Sequence, residues 1–366
     1  MAAGPLVDVP ADLDVPPMDH SVRYGGCMQR CTSVCLRHAG LEPPVLLGQF
    51  WRFQREWGPP FRHKGRVNEG VFNVWGGYFD DARDALARRG VTLTYCQGLG
   101  RERSWEWVLA RMRGGQPVAV LLNSFHLPVY ANFYQTLDIT HVYVAAQFDP
   151  ASRVVYVLNP RQEVEVWAID HDTFMTAWSR EEYEWYDIAV PDALPAYTTG
   201  ALRDDLRQSV ADMLPGHPGE HWNKGVPAVR RFADDLATYP ERLEEQELKA
   251  VLEDGFHQLP GVREQRWLLG AKLRLVALQL GFEELHEVGR GLDAVGRSWS
   301  VARNWFVRAA DSGDLRRGVQ QLTEKLRGAA DAEERTLLKL RELLDSPAWP
   351  SAERIDLRLR EVQEPV

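Results

Sequence analysis

Long apolar runs and an excess of positive charge are both missing from this sequence. No stretch approaches the roughly 18 apolar residues of a membrane-spanning helix, and residues 1–17 lack the basic and apolar regions of a secretory signal. The formal net charge is -9, whereas nucleic-acid-binding proteins usually carry a basic balance that neutralises phosphates. We therefore expect a cytoplasmic protein that has neither a membrane nor a nucleic acid as its partner.

Cysteine is scarce, with four residues in a chain of 366. Four cysteines do not make a disulfide framework in a chain of this size, and the reducing cytosol would oppose one. Cys27, Cys31 and Cys35 recur at helical spacing, so a metal site on them is geometrically possible. Structural zinc sites, however, usually add a second Cys or His pair downstream, and no second cluster follows in this sequence. We expect free thiols, no metal site and no bound cofactor.

Hydrophobic periodicity indicates two domains after a Pro-rich flexible leader at residues 1–17. Between residues 117 and 190, short runs rich in β-branched and aromatic residues are separated by turn signals, which is typical of an antiparallel sheet. The predicted strands are residues 117–123, 141–148, 153–160, 163–169 and 185–190. Amphipathic helices that end at glycine are predicted before them, at residues 27–40, 78–90 and 104–115.

After a predicted linker at residues 191–200 the pattern becomes helical. From Phe282 onward, apolar residues fall at spacings of three and four, which places them on one face of a helix. The sequence therefore predicts an α+β domain at residues 18–192, with a helix packed on an antiparallel sheet, and an all-α domain at residues 193–366.

Cys27 differs from the other cysteines because it follows Gly25 and Gly26 directly, at the expected first turn of a helix. A thiol in this position lies near the positive end of the helix dipole, which favours the thiolate form. Cys31 and Cys35 continue the same helix, and we expect them to be small buried residues, as free cysteines commonly are. Cys27 is therefore the candidate nucleophile.

A thiolate nucleophile needs a general base and usually a third group that orients the base. His141 begins a predicted strand, and a hairpin centred near residue 150 would place residues 159–160 opposite it, so that Asn159 lies beside the imidazole. This inference depends on the strand register, because a slip of one residue reverses the face. His126 is the rival base. The order of Cys27, His141 and Asn159 along the chain is that of papain-like enzymes.

The sequence resembles the N-terminal domain of the butirosin biosynthesis protein H family, whose members look like papain-fold peptidases adapted to acyl transfer. The resemblance rests on Cys27 and its helix, on "GGQPVAVLLNSFHLPVY" at 114–130, on "HVYVAAQFDP" at 141–150 and on "VVYVLNP" at 154–160. Residues 200–366 are similar to the uncharacterised helical domain that commonly follows it. Two departures are that Gly26 replaces a histidine before the cysteine, and that Asn123 replaces an acidic residue.

The resemblance implies an acyltransferase of natural-product biosynthesis, including antibiotic biosynthesis. Its donor would be an acyl group on the phosphopantetheine thioester of an acyl carrier protein or peptidyl carrier protein, and its acceptor a small-molecule amine. Cys27 would be the nucleophile, His141 the base and later the acid, and Asn159 the orienting residue. Asn123 and Tyr130 flank a Leu-Pro segment and are candidates for lining the substrate pocket, although ordinary packing explains them equally well.

Two other classes of function stay open. A peptidase, an amidase or an offloading thioesterase would use the same three residues, with water instead of an amine reaching the acyl-enzyme. A catalytically inert binding or scaffold protein would keep the fold without the chemistry. Papain-like enzymes also place a glutamine a few residues before the cysteine as an oxyanion donor, and residues 19–26 contain none. The second oxyanion donor is therefore unassigned.

Overall fold

The computed structural model describes most of the chain between Cys27 and Arg358. The described residues are 27–48, 55–56, 61–63, 66–68, 73–74, 78–131, 133–136, 138–160, 164–214, 224–351 and 353–358. The predicted leader at residues 1–17, and Gly25 and Gly26, lie outside them.

The chain divides into two compact units. The first contains the described residues of Met1–Leu46, Ala82–Pro195 and Leu357–Val366, and the second those of Leu47–Asp81 and Ala196–Asp356. Leu357 joins the first unit through a hydrogen bond of 2.9 Å from the Glu42 amide to the Leu357 carbonyl. The predicted boundary lies between residues 192 and 193, and the observed division lies between Pro195 and Ala196. The second unit also includes Leu47–Asp81, and the first also includes residues from Leu357 onward.

The first unit is built on a six-stranded sheet, so its class is α+β. All neighbouring strands in the sheet are antiparallel, in the order β5-β10-β6-β7-β8-β9. The strands are β5 (Thr92–Cys96), β6 (Val118–Asn123), β7 (Thr140–Asp149), β8 (Val154–Pro160), β9 (Val164–Asp170) and β10 (Trp185–Ala189). Four short strands within Leu47–Asp81, a segment of the second unit, form two separate pairs: β1 (Arg55–Glu56) with β4 (Asn73–Val74), and β2 (Phe61–His63) with β3 (Arg66–Asn68).

Five helices accompany the strands between Cys27 and Ser179. They are α1 (Cys27–His38), α2 (Pro43–Leu47), α3 (Tyr78–Ala87), α4 (Arg101–Arg113) and α5 (His171–Ser179). The turn after α1 and the turn after α3 use glycine with positive φ, 73° at Gly40 and 77° at Gly90, which is the backbone conformation that glycine adopts at least cost.

Side-chain alternation along the strands separates the two faces of the sheet. Val118, Val120 and Leu122 belong to one core, which α4 and α5 cover and which also contains Tyr143 and Val157. Successive side chains in a strand point to opposite faces, so the intervening buried residues, such as Ala119 and Val144, face the other way. The buried side of α1 contributes nothing to the first core and contacts β7, β6 and β8. Helix α1 therefore covers the second face.

The predicted strands are found in the structure with shifts of at most one residue at their ends. The elements that were not predicted include strand β5 and helix α5. Strand β5 was not predicted because "TLTYC" is a short run between two helices, and its edge position leaves it half exposed. Helix α5 was not predicted either, although Asp170 caps it by accepting a hydrogen bond of 2.9 Å from the Thr173 amide.

The predicted register of the β7–β8 hairpin is wrong. Asp149 pairs with Val154, so the turn comprises residues 150–153, and a bulge interrupts β7 between Ala145 and Gln147. Beyond the bulge Val144 pairs with Leu158, and one further step sets Asn159 opposite Tyr143 instead of His141. The offset from His141 is two residues, so His141 and Asn159 still lie on the same face of the sheet.

The second unit is mainly helical. Its helices are α6 (Thr199–Met213), α7 (Gly225–Arg242), α8 (Glu245–Gln258), α9 (Pro260–Leu280), α10 (Glu283–Ala310) and α11 (Leu315–Asp345). The prediction of an all-α domain needs one correction, because β11 (Tyr197–Thr198) and β12 (Arg354–Ile355) form a short antiparallel pair. Within the described residues, no helix combines the length and the apolar character needed to cross a bilayer.

Candidate functional site

Cys27 is the first residue of α1, and its side chain is exposed. Cys31 and Cys35, on the following turns, are buried. Burial raises the pKa of the Cys31 thiol well above its ordinary value and raises that of Cys35 to about 12. Both buried thiols therefore stay protonated at neutral pH, and among the three cysteines of α1 only Cys27 is open to a reagent.

Two hydrogen bonds fix the position of α1 along the sheet. Cys31 Sγ donates to the Val142 carbonyl at 3.2 Å, and Cys35 Sγ donates to the Pro117 carbonyl at 3.6 Å. Since Pro117 immediately precedes β6 and Val142 pairs with Leu121 further along it, α1 runs from the end of β6 toward its beginning. Four residues of helix rise about 6 Å, as do two residues of strand. Cys27 therefore lies near the end of the sheet where β6 ends and β7 begins.

Two tyrosines of the sheet are influenced by Cys27. Burial raises the pKa of the Tyr186 hydroxyl to about 12, and the nearby Cys27 adds to the shift. The pKa of Tyr143 is raised mainly by burial as well, and Cys31 and Cys27 contribute smaller repulsive effects. Cys27 is thus close enough to both tyrosines for its charge to act on them.

His141 is the second residue of β7 and is half-buried among aromatic rings. Its ring centroid lies 6.2 Å from those of Phe133 and Tyr143 and 6.4 Å from that of Tyr130. This apolar surrounding removes water from the imidazole and lowers its pKa below the ordinary value of 6.5. His141 is therefore neutral at neutral pH, which is the form that can accept a proton.

Asn159 is buried near the end of β8, with 6% of its surface exposed. Its cross-strand partner is Glu165 on β9, and Asn159 Nδ2 donates to Glu165 Oε2 at 3.0 Å. Within the described residues, its Oδ1 accepts no hydrogen bond. The Nδ2 group of the amide is therefore held by Glu165, and its Oδ1 can accept a hydrogen bond from another group.

The structure brings the three sequence-predicted residues to one end of the sheet but does not join them by hydrogen bonds. His141 and Asn159 lie on the face of the sheet that α5 covers. Cys27 belongs to α1, which covers the opposite face. Among the described residues, no hydrogen bond to the His141 imidazole is present. Thr140 and His141 are the first residues of β7, and beyond a strand end no sheet separates the two faces. Cys27 and the pair of His141 and Asn159 thus lie at the same end of the sheet but on different faces.

Asn123 and Tyr130, the two candidate pocket residues, also lie at this end. The Asn123 amide is buried and already engaged: its Nδ2 donates to Asp138 at 2.6 Å and Glu181 at 3.2 Å, and its Oδ1 accepts from the Phe125 amide at 3.0 Å. This arrangement anchors the loop that follows β6.

Tyr130 is buried in the core beneath α5, with its ring centroid 4.3 Å from that of Phe133 and 5.6 Å from that of Trp167. His126, the rival base, lies in the short 3-10 turn Ser124–His126, with its ring 5.2 Å from that of Phe125. Whether either residue contacts a substrate stays a prediction.

Sequence reasoning did not single out the acidic residues at this end of the sheet. Glu165 bonds Asn159, while Asp138 and Glu181 bond Asn123. Glu165 could have been identified from the alternation of side chains between the two faces of the strand "VEVWAID". In that strand Glu165 and the buried Trp167 lie on the same face. The other two lie in loops, where no periodicity identifies them.

The described residues include no group of three or more His, Cys, Asp or Glu side chains arranged to hold a metal ion. Comparison with known proteins adds no identification: no family model matches the chain, and no curated protein matches it.

Proposed function

We propose that this protein is a papain-like, cysteine-dependent acyltransferase that moves an acyl group from a carrier-protein thioester to an amine. Cys27 is the nucleophile, His141 the general base and acid, and Asn159 the residue that orients the imidazole. The proposal rests on one observation: the single exposed cysteine of α1 is the first residue of that helix, at the end of the sheet where His141 and Asn159 also lie.

The first half-reaction forms an acyl-cysteine. His141 accepts the Cys27 thiol proton as the sulfur attacks the thioester carbonyl, and the C–S bond to phosphopantetheine then breaks. The departing thiolate takes the proton from the imidazolium. Because one thioester replaces another, the exchange is nearly isoenergetic. The Cys27 backbone N–H, at the start of a helix, is a donor for the carbonyl oxygen that becomes negative.

The second half-reaction forms an amide. The acceptor amine attacks the acyl-cysteine carbonyl, and His141 takes a proton from the nitrogen. The Cys27 thiolate leaves and recovers that proton from the imidazolium, which restores the free enzyme. A neutral imidazole suits both steps, and its aromatic surroundings account for that state.

The carrier-protein donor, the amine acceptor and a place in cytoplasmic natural-product biosynthesis come from the family resemblance. The aromatic residues near His141 are compatible with aminolysis, because an apolar site disfavours water as the competing nucleophile. Tyr130 and Phe133 are the residues that would restrict water.

The test follows the fate of the acyl group. The purified full chain is incubated with an acyl thioester of pantetheine and analysed by intact mass and peptide mapping, first without and then with a primary amine. The proposal predicts an adduct on Cys27 that persists until the amine is added and is then converted to an amide.

Other outcomes favour the competing functions. Rapid loss of the adduct in water alone identifies a thioesterase or another hydrolase that uses the same residues. The absence of an adduct on Cys27 with every thioester tried, while the chain is folded, contradicts both enzymatic functions and favours an inert binding protein. A C27S variant measures adducts formed on the other cysteines.

A further inference from the structure

Asn159 and Glu165 form a cross-strand pair at the candidate site. They are directly opposite each other on β8 and β9, and the distance from Asn159 Nδ2 to Glu165 Oε2 is 3.0 Å. Asn159 is buried whereas Glu165 is exposed. The buried amide is therefore held by a charged group at the edge of the site.

The chemistry of this pair determines which way the amide points. An ionised carboxylate only accepts hydrogen bonds, whereas an amide presents two N–H donors on one side and an acceptor oxygen on the other. Glu165 therefore requires Asn159 to turn its nitrogen toward β9. The oxygen is left on the opposite side, and it accepts no hydrogen bond within the described part of the chain.

The register of β7 and β8 indicates that Asn159 lies close to His141. Extension of the register by one residue past the Val144–Leu158 pair sets Asn159 opposite Tyr143, two residues from His141 and on the same face, and such diagonal neighbours are within reach of long side chains. Glu165 is also close enough to Tyr143 to raise the pKa of its hydroxyl slightly, after the larger effect of burial. The open oxygen of Asn159 is thus in the same neighbourhood as the imidazole.

We propose that Glu165 is a positioning residue, which fixes the Asn159 amide so that its Oδ1, and not its NH2 group, is presented to the His141 imidazole. An oxygen in that place accepts the imidazole N–H and selects one tautomer, leaving the other ring nitrogen free to take the Cys27 proton. This inference rests on the proposed function, because it assigns a task to Asn159 within that mechanism.

A double-mutant cycle tests the proposal. Wild type, E165Q, N159A and the double variant are compared for two properties: the single-turnover rate of Cys27 acylation by an acyl thioester of pantetheine, and the tautomer ratio of His141 from ¹⁵N NMR. Glutamine keeps the shape of glutamate but can donate as well as accept, so it no longer dictates how Asn159 turns. D172N removes an exposed carboxylate in the first turn of α5, which follows the far end of β9, and serves as the control.

We expect E165Q to slow acylation roughly tenfold or more and to mix the two tautomers, and we expect D172N to do neither. In the N159A background E165Q should have no further effect, because Glu165 acts only through Asn159. A merely structural pair would lower the melting temperature without this coupling, so thermal unfolding of each variant is recorded as well.

Additive rate losses, or an unchanged tautomer ratio in E165Q, would overturn the positioning role even if wild type forms the acyl-enzyme. Conversely, a wild-type protein that never acylates but whose His141 tautomer depends on Glu165 only when Asn159 is present would retain the positioning role and refute the proposed function. The two failures are therefore distinguishable.

Discussion

Cys31 Sγ donates a hydrogen bond to the carbonyl oxygen of Val142, the residue that follows His141. This contact joins the second turn of α1, the helix of the candidate nucleophile, to the strand that carries the candidate base. Because both partners are buried, the bond fixes the position of α1 along the direction of β7. The position of Cys27 is thus set in part by the contact between Cys31 and Val142.

The four thiols should differ strongly in their reaction with iodoacetamide. Burial raises the pKa of Cys35 from an ordinary value of 9.0 to about 12, which lowers its thiolate fraction at neutral pH roughly 1,000-fold. Cys31 is buried as well. We expect Cys27 to be alkylated first, Cys96 more slowly, and Cys31 and Cys35 only after unfolding, as measured by peptide mapping. Equal labelling of all four in the folded protein would refute this ranking.

His141 should make the stability of the fold depend on pH. Its folded-state pKa lies below the unfolded value of 6.5, so the unfolded chain binds the proton more tightly. The contribution to stability is therefore present above pH 6.5 and is lost as the pH falls through the folded-state pKa. Urea unfolding at pH 7.5 and at lower pH should show a larger loss for wild type than for H141Q. Equal losses would mean that the imidazole is not desolvated.

Replacement of Asn123 should destabilise the first unit. N123A removes three hydrogen bonds and leaves Asp138, Glu181 and the Phe125 amide without that partner. We expect a loss of roughly 1–3 kcal/mol in the free energy of unfolding, measured by urea denaturation. The control is S152A, which removes an exposed hydrogen bond to Asp149 in the β7–β8 turn and should cost less than about 0.5 kcal/mol.

Two glycines of the helical unit should respond oppositely to alanine. A Cβ at Gly296 on α10 would overlap the indole nitrogen of Trp267 on α9, whereas a Cβ at Gly328 on α11 would meet no atom within 4 Å. We expect G296A to lower the free energy of unfolding by roughly 1–3 kcal/mol, and G328A to raise it by about 0.5–1 kcal/mol because alanine favours the helix. Urea midpoints measure both, and equal shifts would contradict the close contact between α9 and α10.

Most of the sheet could be predicted because its strands are long runs of β-branched and aromatic residues with turn signals between them. The helix over Cys27–His38 was predicted from its spacing and from the glycine stop at Gly40. What failed was the register of the hairpin. A bulge between Ala145 and Gln147 depends on local backbone geometry, and "VAAQF" carries no residue pattern that marks it.

The residues of the candidate site could be predicted from the sequence, but the hydrogen bonds between them and their neighbours could not. Cys27, His141 and Asn159 could be selected because their order and their flanking elements match a known chemistry. The hydrogen bonds of these residues could not be predicted. Asn159 donates to Glu165, and Asn123 donates to Asp138 and Glu181. Each bond joins strands or loops whose pairing is decided by tertiary packing.

The central claim is that the His141 imidazole activates the Cys27 sulfur. It is tested most directly by the single-turnover rate of Cys27 acylation, measured from pH 5 to 8 in wild type and H141Q with an acyl thioester of pantetheine. We predict that H141Q is slower by roughly 100-fold to 10,000-fold at neutral pH, and that the wild-type rate falls only below pH 6.5, where the buried imidazole becomes protonated. Equal rates and superimposable pH profiles in the two proteins would contradict the claim.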